Sequence, residues 1–150
     1  MATYAFANIV GAISGPGGVI PLGSGAGVGE GGITITPTTD KNVMMIGADG
    51  SGMNSLLADS SGSVTVRALK TSAVNAALSL MYNYQTGSSL THGQNTIQFT
   101  DIARGDSVTC TGAAFKKQVE LNYGKEGGEN EWTFDAINVT IILGIGTPEV

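Results

Sequence analysis

The chain has 150 residues, about the length of one domain, which argues against two large independent domains. Only 13% of its residues are charged, about half the usual share, while its 23 glycines are about twice the average frequency. A hydrophobic fraction of 41% excludes collagen-like and polar disordered chains, and no apolar run approaches the roughly 20 residues of a membrane-spanning helix. The composition predicts a single glycine-rich domain over residues 1–150.

The net charge of −5 argues against a surface that clamps nucleic acid by neutralising its phosphates. The single cysteine, Cys110, has no partner for an internal disulfide, and residues 1–14 contain no basic residue that would begin a secretory signal peptide. We therefore expect the protein to assemble inside the cell.

An N-terminal strand is predicted from residue 4 to Gly11 or shortly after, and a glycine-rich segment is predicted over residues 11–32. This segment holds ten glycines, and few apolar side chains lie between them. Fixing its backbone costs roughly 20–40 kcal/mol of conformational entropy at about 1–2 kcal/mol per residue. We expect a long loop that is either mobile or ordered by the surface of a partner.

Three further strands are predicted in the next part of the chain. Residues 33–36 alternate at the strand period and stop at Pro37, and residues 43–46 form a short apolar strand. Turn residues follow at 49–52, and residues 64–68 alternate again, so one face of that strand is expected to be buried.

One helix is predicted, over residues 72–84, because the hydrophobic period changes there from two to about 3.6 residues. Its buried stripe is expected to contain Val74, Ala77, Leu78, Met81 and Tyr84. Thr71 or Ser72 is placed to cap its first turn.

The final third of the chain returns to strands, at residues 97–99, 108–114, 118–123 and 132–143. In the last of these the apolar residues change parity, so a continuous strand with one buried face needs an extra residue near Asp135 or Ala136, a β-bulge. The fold class is therefore mainly β: an antiparallel sandwich or barrel-like sheet with one packed helix and a long glycine-rich loop.

No catalytic centre is predicted. His92, the only histidine, lies in a polar turn, and Cys110 has the parity of a small buried residue. A cysteine hydrolase built on these two residues remains the enzyme alternative, but one Cys and one His do not supply a zinc site. We predict no enzymatic activity, no metal and no cofactor.

The order of several short motifs resembles that of the tail tube proteins of contractile-tailed bacteriophages, within the superfamily that includes type VI secretion tubes. The resemblance spans nearly the whole chain, with Asn54 as a departure where a histidine is expected. Its motifs are GAGVGEGGI at 25–33, IGADG at 46–50, GSVTVR at 62–67, KTSAVNAAL at 70–78 and EWTFDA at 131–136.

The resemblance implies a structural virion protein, made in the host bacterial cytoplasm, whose copies form stacked hexameric rings inside a contractile sheath. It implies a hollow tube, a large β-barrel lumen through which double-stranded DNA is ejected, and contacts with sheath, tape measure, baseplate and terminator proteins. The segment 11–32 is then expected to bridge subunits or rings, with Gly25, Gly27, Gly29, Gly31 and Gly32 at the contact.

Strand parity suggests two sets of residues for the lumen of such a tube, Thr109 with Thr111, or Gln118, Glu120 and Asn122. Six copies at −5 each would give about −30 per ring, and a negative wall repels the phosphates of DNA rather than retaining them.

Two other functions are compatible with the sequence. The chain could form the tube of a type VI secretion or contractile injection system, which shares the fold. It could also be a β-sandwich that binds carbohydrate or peptide through Tyr82, Tyr84 and Trp132.

Overall fold

The computed structural model describes residues 3–25 and 27–146, without the side chains of residues 28–31. A short 3-10 helix, Phe6–Asn8, precedes the strands, and the one α-helix, α1, is Val74–Gln85. The ten strands are β1 (Ile9–Gly15), β2 (Gly18–Pro21), β3 (Val28–Pro37), β4 (Asn42–Ile46), β5 (Gly52–Leu56), β6 (Gly62–Leu69), β7 (Asn95–Asp101), β8 (Asp106–Phe115), β9 (Glu129–Ala136) and β10 (Asn138–Ile142).

Eight strands form one open antiparallel sheet in the order β2-β1-β7-β8-β9-β6-β3, and β10 pairs with β8. The remaining two, β4 and β5, pair only with each other. The prediction of a mainly antiparallel β fold with a single helix is confirmed.

A single core joins both ends of this sheet to the helix. Ile13 and Ile20 of the first strands, Val64 and Val66 of β6, and Leu78 of α1 belong to one buried cluster. At its centre the Phe115 ring contacts three other aromatic rings, at centroid distances of 5.6 Å, 6.0 Å and 4.8 Å for Tyr82, Trp132 and Phe134 respectively. The two halves of the sheet therefore fold onto each other and share one hydrophobic core.

The glycine-rich segment 11–32 is not a long loop, and that prediction is wrong. Residues 11–21 form most of the β1–β2 hairpin, and β3 begins at Val28. The hairpin turns at Pro16 and Gly17, whose φ of 106° is strained for any residue with a side chain. Most of the glycines lie in the strands β1, β2 and β3 or in the hairpin turn, and of the described residues only 22–25 and 27 lie between β2 and β3.

The predicted N-terminal strand is also misplaced. Residues 6–8 form the 3-10 helix, and the strand begins only at Ile9. The alternation of side chains that predicted this strand stops at Val10, where the glycines of β1 begin. In the structure β1 nevertheless continues to Gly15, and Gly11 lies against Phe99 of β7.

Helix α1 confirms most of the predicted stripe, with one error. Val74, Leu78 and Met81 are buried, but Tyr84 is exposed and Gln85 takes the buried position. The Gln85 amide donates to the side-chain oxygen of Asn95 and receives a bond back, both 2.7 Å, and it also donates to the Pro16 carbonyl. Burial of this amide is tolerated because its polar atoms are paired.

The predicted cap is formed by Ser72, whose hydroxyl accepts a hydrogen bond from the Val74 amide at 3.2 Å. The residue immediately before the helix is Ala73, which has no oxygen in its side chain to act as a cap.

The last predicted strand, 132–143, is divided at Ile137 into β9 and β10. The parity change was expected, but Ile137 is exposed rather than buried, and Ile141 and Leu143 are also exposed. The break lies opposite Gly112, at φ 63°, where β8 changes its partner from β10 to β9. A side chain at Gly112 would begin 3.1 Å from the Cβ of Ile137, so the crossing requires glycine.

Candidate assembly surfaces

The β4–β5 hairpin exposes most of its apolar side chains to solvent. The apolar residues are Val43, Met44, Met45, Ile46, Met53 and Leu56, with exposed fractions from 48% to 86%. Met45 lies opposite Met53 on one face, and Met44 and Leu56 lie on the other. Both faces of the hairpin are therefore available for burial against another surface.

Polar contacts brace the base and the tip of this hairpin. At the base, Lys41 donates to the Leu57 carbonyl at 3.3 Å and to the Ser60 hydroxyl at 3.2 Å. At the tip, the Asp49 carboxylate accepts bonds from the hydroxyl and the amide of Ser51, which lower the pKa of Asp49. An isolated two-stranded hairpin is only marginally stable in water, so these contacts hold its shape without covering its apolar surface.

The outward face of β3, β6 and β9 is polar and charged, and we call it the charged face. Arg67 lies at its centre, with its guanidinium 3.4 Å from the Glu131 carboxylate and bonded to the Thr34 hydroxyl at 3.2 Å. Among the side chains that the structure describes on this face, one arginine stands with three carboxylates, so their sum is net negative. By strand register its described side chains are Thr34, Thr36, Ser63, Thr65, Arg67, Leu69, Glu129, Glu131, Thr133 and Asp135.

The outward face of β1, β7, β8 and β10 differs in chemistry, and we call it the neutral face. In register across it run Ala12, Gln98, Thr109 and Thr140. The described strands place no charged side chain on this face. Its other members are Val10, Ser14, Thr96, Thr100, Ser107, Thr111, Asn138 and Ile142.

The strand predicted over 118–123 is absent, which is a correction to the sequence analysis. Residues 116–128 form an irregular exposed segment between β8 and β9. Of the lumen candidates, Gln118 is half-buried and accepts a bond from the Val119 amide, while Glu120 and Asn122 are exposed. Thr109 and Thr111, the other candidates, lie on the neutral face.

The candidate contact glycines occupy different environments. Gly25 lies in an exposed turn, and the Gly27 carbonyl accepts a bond from the Leu69 amide of the same chain at 2.8 Å. Gly29, Gly31 and Gly32 belong to β3, where the pairing with β6 is irregular between Val28 and Ile33. Their contact with another subunit stays a prediction.

The two reactive side chains are not brought together into a dyad. His92 is exposed in the turn before β7, and Cys110 is fully buried in the core. Burial also raises the pKa of the Cys110 thiol. Within the described residues no cluster of three or more His, Cys, Asp and Glu side chains is arranged to hold a metal ion, and no helix is long and apolar enough to cross a membrane.

Cys110 is expected to be unreactive in the folded protein. Iodoacetamide should label it at least 100-fold faster in guanidinium chloride than in native buffer, because the buried thiol is neither accessible nor ionised. Above about pH 9 the unfolded chain ionises this thiol and the folded chain does not, so the free energy of unfolding should fall as pH rises. Rapid native labelling at neutral pH would contradict the burial of Cys110.

The aromatic residues do not form a binding platform. Trp132 is buried and donates from its indole N–H to Asn75 at 3.1 Å, and Tyr82 packs edge-on against Phe115. Of the three proposed aromatics only Tyr84 is largely exposed.

Strand β5 and the surface that it forms with β4 were not predicted from the sequence. Two signals were present: the Asp49–Gly50 turn, and Met53 and Leu56 at opposite parities, which place apolar side chains on both faces of the strand.

The family model described as Bacteriophage PhiTE tail tube protein matches residues 1–144, so the chain belongs to this family. It is a structural subunit of a phage tail tube, and hence a component of the virion. A search of curated proteins found no match.

Solved structures with the same fold come from contractile injection machines. A chain in the cryo-EM structure of the anti-feeding prophage baseplate has a TM-score of 0.59 at 13% identity, over 97% of this chain and 99% of that one. A chain in the extended sheath-tube complex of an extracellular contractile injection system gives 0.57 at 12%, over 94% and 92%. The anti-feeding prophage tube-terminating cap gives 0.54 at 15%, over 96% and 95%. At these identities the likeness shows the fold alone.

Proposed function

We propose that copies of this chain associate into hexameric rings, that the rings stack into a tube inside a contractile sheath, and that double-stranded DNA leaves the virion through the tube. The observation that carries self-association is the β4–β5 hairpin, with six apolar side chains exposed on its two faces. Each such side chain contributes about 1.5–3 kcal/mol when fully buried. Several copies together supply the two covering surfaces that one copy lacks.

The hairpin also suggests the direction of stacking. It follows β3 and precedes β6, beyond Pro37 and Gly62, and its two strands of five residues each extend about 17 Å at roughly 3.3 Å per residue. In a ring whose strands run along the tube axis, the hairpin reaches a neighbouring ring.

We assign the lumen to the charged face. The excess of carboxylates there gives a wall that repels a polyanion, whereas the neutral face gives no such force. Gln118, Glu120 and Asn122, on the segment that follows β8, are proposed to line the same channel.

The proposed partners follow from the role of the chain as a tube subunit. Sheath, terminator and baseplate proteins are proposed contacts because the fold occurs in a sheath-tube complex, a tube-terminating cap and a baseplate. We further propose that a tape measure protein is a partner, that the tube assembles in the host cytoplasm, and that its role is purely structural and non-enzymatic. Subunit contacts through residues 11–32 belong to the same proposal.

The tube of an injection system remains the second candidate, since the solved structures of this fold come from such machines. The family match favours a phage tail. Neighbouring genes for a capsid and a terminase would distinguish the two origins.

Electron microscopy of negatively stained, concentrated protein tests the proposal. We expect rings with six-fold symmetry or tubes built from them, with a central channel. A protein that stays monomeric in light scattering at every concentration, and forms no ring on the grid, would refute it.

A further inference from the structure

Residues 117–123, which we call the arm, have the pattern of a strand but no strand partner. Val119, Leu121 and Tyr123 alternate with polar residues, as in a strand with one buried face. In the structure the arm is irregular, and Leu121 and Tyr123 are 56% and 82% exposed. The sequence pattern therefore predicts a strand at this segment, whereas the single chain has none there.

The far end of the arm is held by one lysine. The Lys70 ammonium donates to the Asn122 carbonyl and lies 4.9 Å from the centroid of the Tyr123 ring. Nearer to β8, Val119 packs against the core. Such an exposed cation–π contact is worth about 0.5–1 kcal/mol, which a small gain elsewhere can replace.

Two of the open strand edges in the part of the chain that the structure describes lie next to the arm or at the end of its half of the sheet. On the side of β9 that faces β8, pairing is limited to Phe134 and Asp135, with one further bond from the Lys116 amide to the Thr133 carbonyl. At the end of the sheet, β3 pairs with β6 on one side only. Open edges of this kind tend to pair with another chain.

The strand directions show how these edges can be joined. Both β3 and β9 are antiparallel to β6, so they are parallel to each other. A direct union of β9 with the β3 of a neighbour in a ring would be a parallel pair within an antiparallel sheet. The arm continues the direction of β8, which is antiparallel to β9, and a strand inserted there restores the alternation throughout.

We propose that on assembly the arm becomes a strand that pairs with β9 of its own subunit and with β3 of the next copy. This inference rests on the proposed ring. With the parity of Phe115, Leu121 and Tyr123 turn toward the core side and lose their exposure to water. Gln118, Glu120 and Asn122 then extend the charged face.

Engineered cysteines test this pairing. In a Cys110→Ser background, one cysteine replaces Gln118, Glu120 or Asn122, and a second replaces Thr34 or Thr36 on β3. Paired strands bring opposed cysteines to about 5.5 Å between Cα atoms, within disulfide range. Mild oxidation of assembled tubes should give a ladder of linked copies for at least one pair, and none in dilute monomer. Leu80→Cys on α1, in place of the β3 cysteine, should give no ladder.

The outcomes separate the arm from the tube. Normal tubes in which every cysteine pair stays unlinked overturn the inference and leave the proposed function standing. Failure of the parent protein to form any ring or tube overturns both.

Charge substitution gives a second measurement. Leu121→Asp should lower the assembled fraction at least 10-fold while the thermal unfolding of the monomer is unchanged, because the exposed leucine is buried only in the assembly. Leu90→Asp, at a turn position that is 80% exposed, should assemble as wild type. Wild-type assembly of Leu121→Asp would overturn the role of the arm.

Discussion

Met53→Asp and Met45→Asp should each abolish tube formation while leaving the monomer folded. The two side chains lie directly opposite each other on one face of the β4–β5 hairpin, and both are more than half exposed. A carboxylate there costs nothing in the free monomer, but in an assembly it would be buried without a partner at a cost of several kcal/mol. Sedimentation of assembled protein, followed by electron microscopy, measures the loss.

The matched control is Leu80→Asp on helix α1, a side chain as exposed as those of the hairpin but on a different surface. Circular dichroism should show the same fold for all three variants. If the hairpin variants form tubes at wild-type concentrations, self-association does not depend on the hairpin. The exposed apolar side chains of the hairpin would then no longer support the proposed function.

Phe115→Ala should destabilise the subunit by about 3–5 kcal/mol, a large part of the 5–15 kcal/mol typical of a domain. The ring is buried and contacts Tyr82, Trp132 and Phe134, so its removal leaves a cavity bordered by three aromatic side chains. Urea unfolding in the Met53→Asp background reads the stability of the monomer without a contribution from assembly.

Phe115→Leu, which keeps most of the volume, should lose much less than the alanine variant. Tyr84→Ala, at an exposed position of α1, should change the free energy of unfolding by no more than about 0.5 kcal/mol. A loss below 1 kcal/mol for Phe115→Ala would mean that the aromatic cluster does not hold the two halves of the sheet together.

Much of the fold could be predicted from periodicity because the core-facing residues follow it closely. In β6, Val64, Val66 and Ala68 alternate without interruption and are all buried, and the helical stripe of α1 deviates only at Tyr84. These elements each bury one face against one core, which is the condition under which a hydrophobic pattern reports structure.

The errors arose at glycine-rich strands and at segments whose apolar side chains are exposed in the single chain. In the β1–β2 hairpin, glycines occupy strand positions and leave no side-chain pattern to detect, so the segment 11–32 looked like a loop. In the β4–β5 hairpin and at residues 118–123, apolar side chains are exposed in the single chain. In the proposed tube these side chains are buried between copies, so their pattern predicts a strand or a core that the isolated subunit does not contain.

The lack of charged side chains on the neutral face affects how contacts made through it respond to salt. Since it presents hydroxyl, amide and methyl groups in the described strands, mobile ions have little there to screen. Contacts made through it should keep their strength from dilute buffer to molar sodium chloride, whereas association through the hairpin should strengthen in ammonium sulfate. Screening by sodium chloride affects neither surface, so the larger strengthening in ammonium sulfate is what identifies a complex held together by the apolar hairpin.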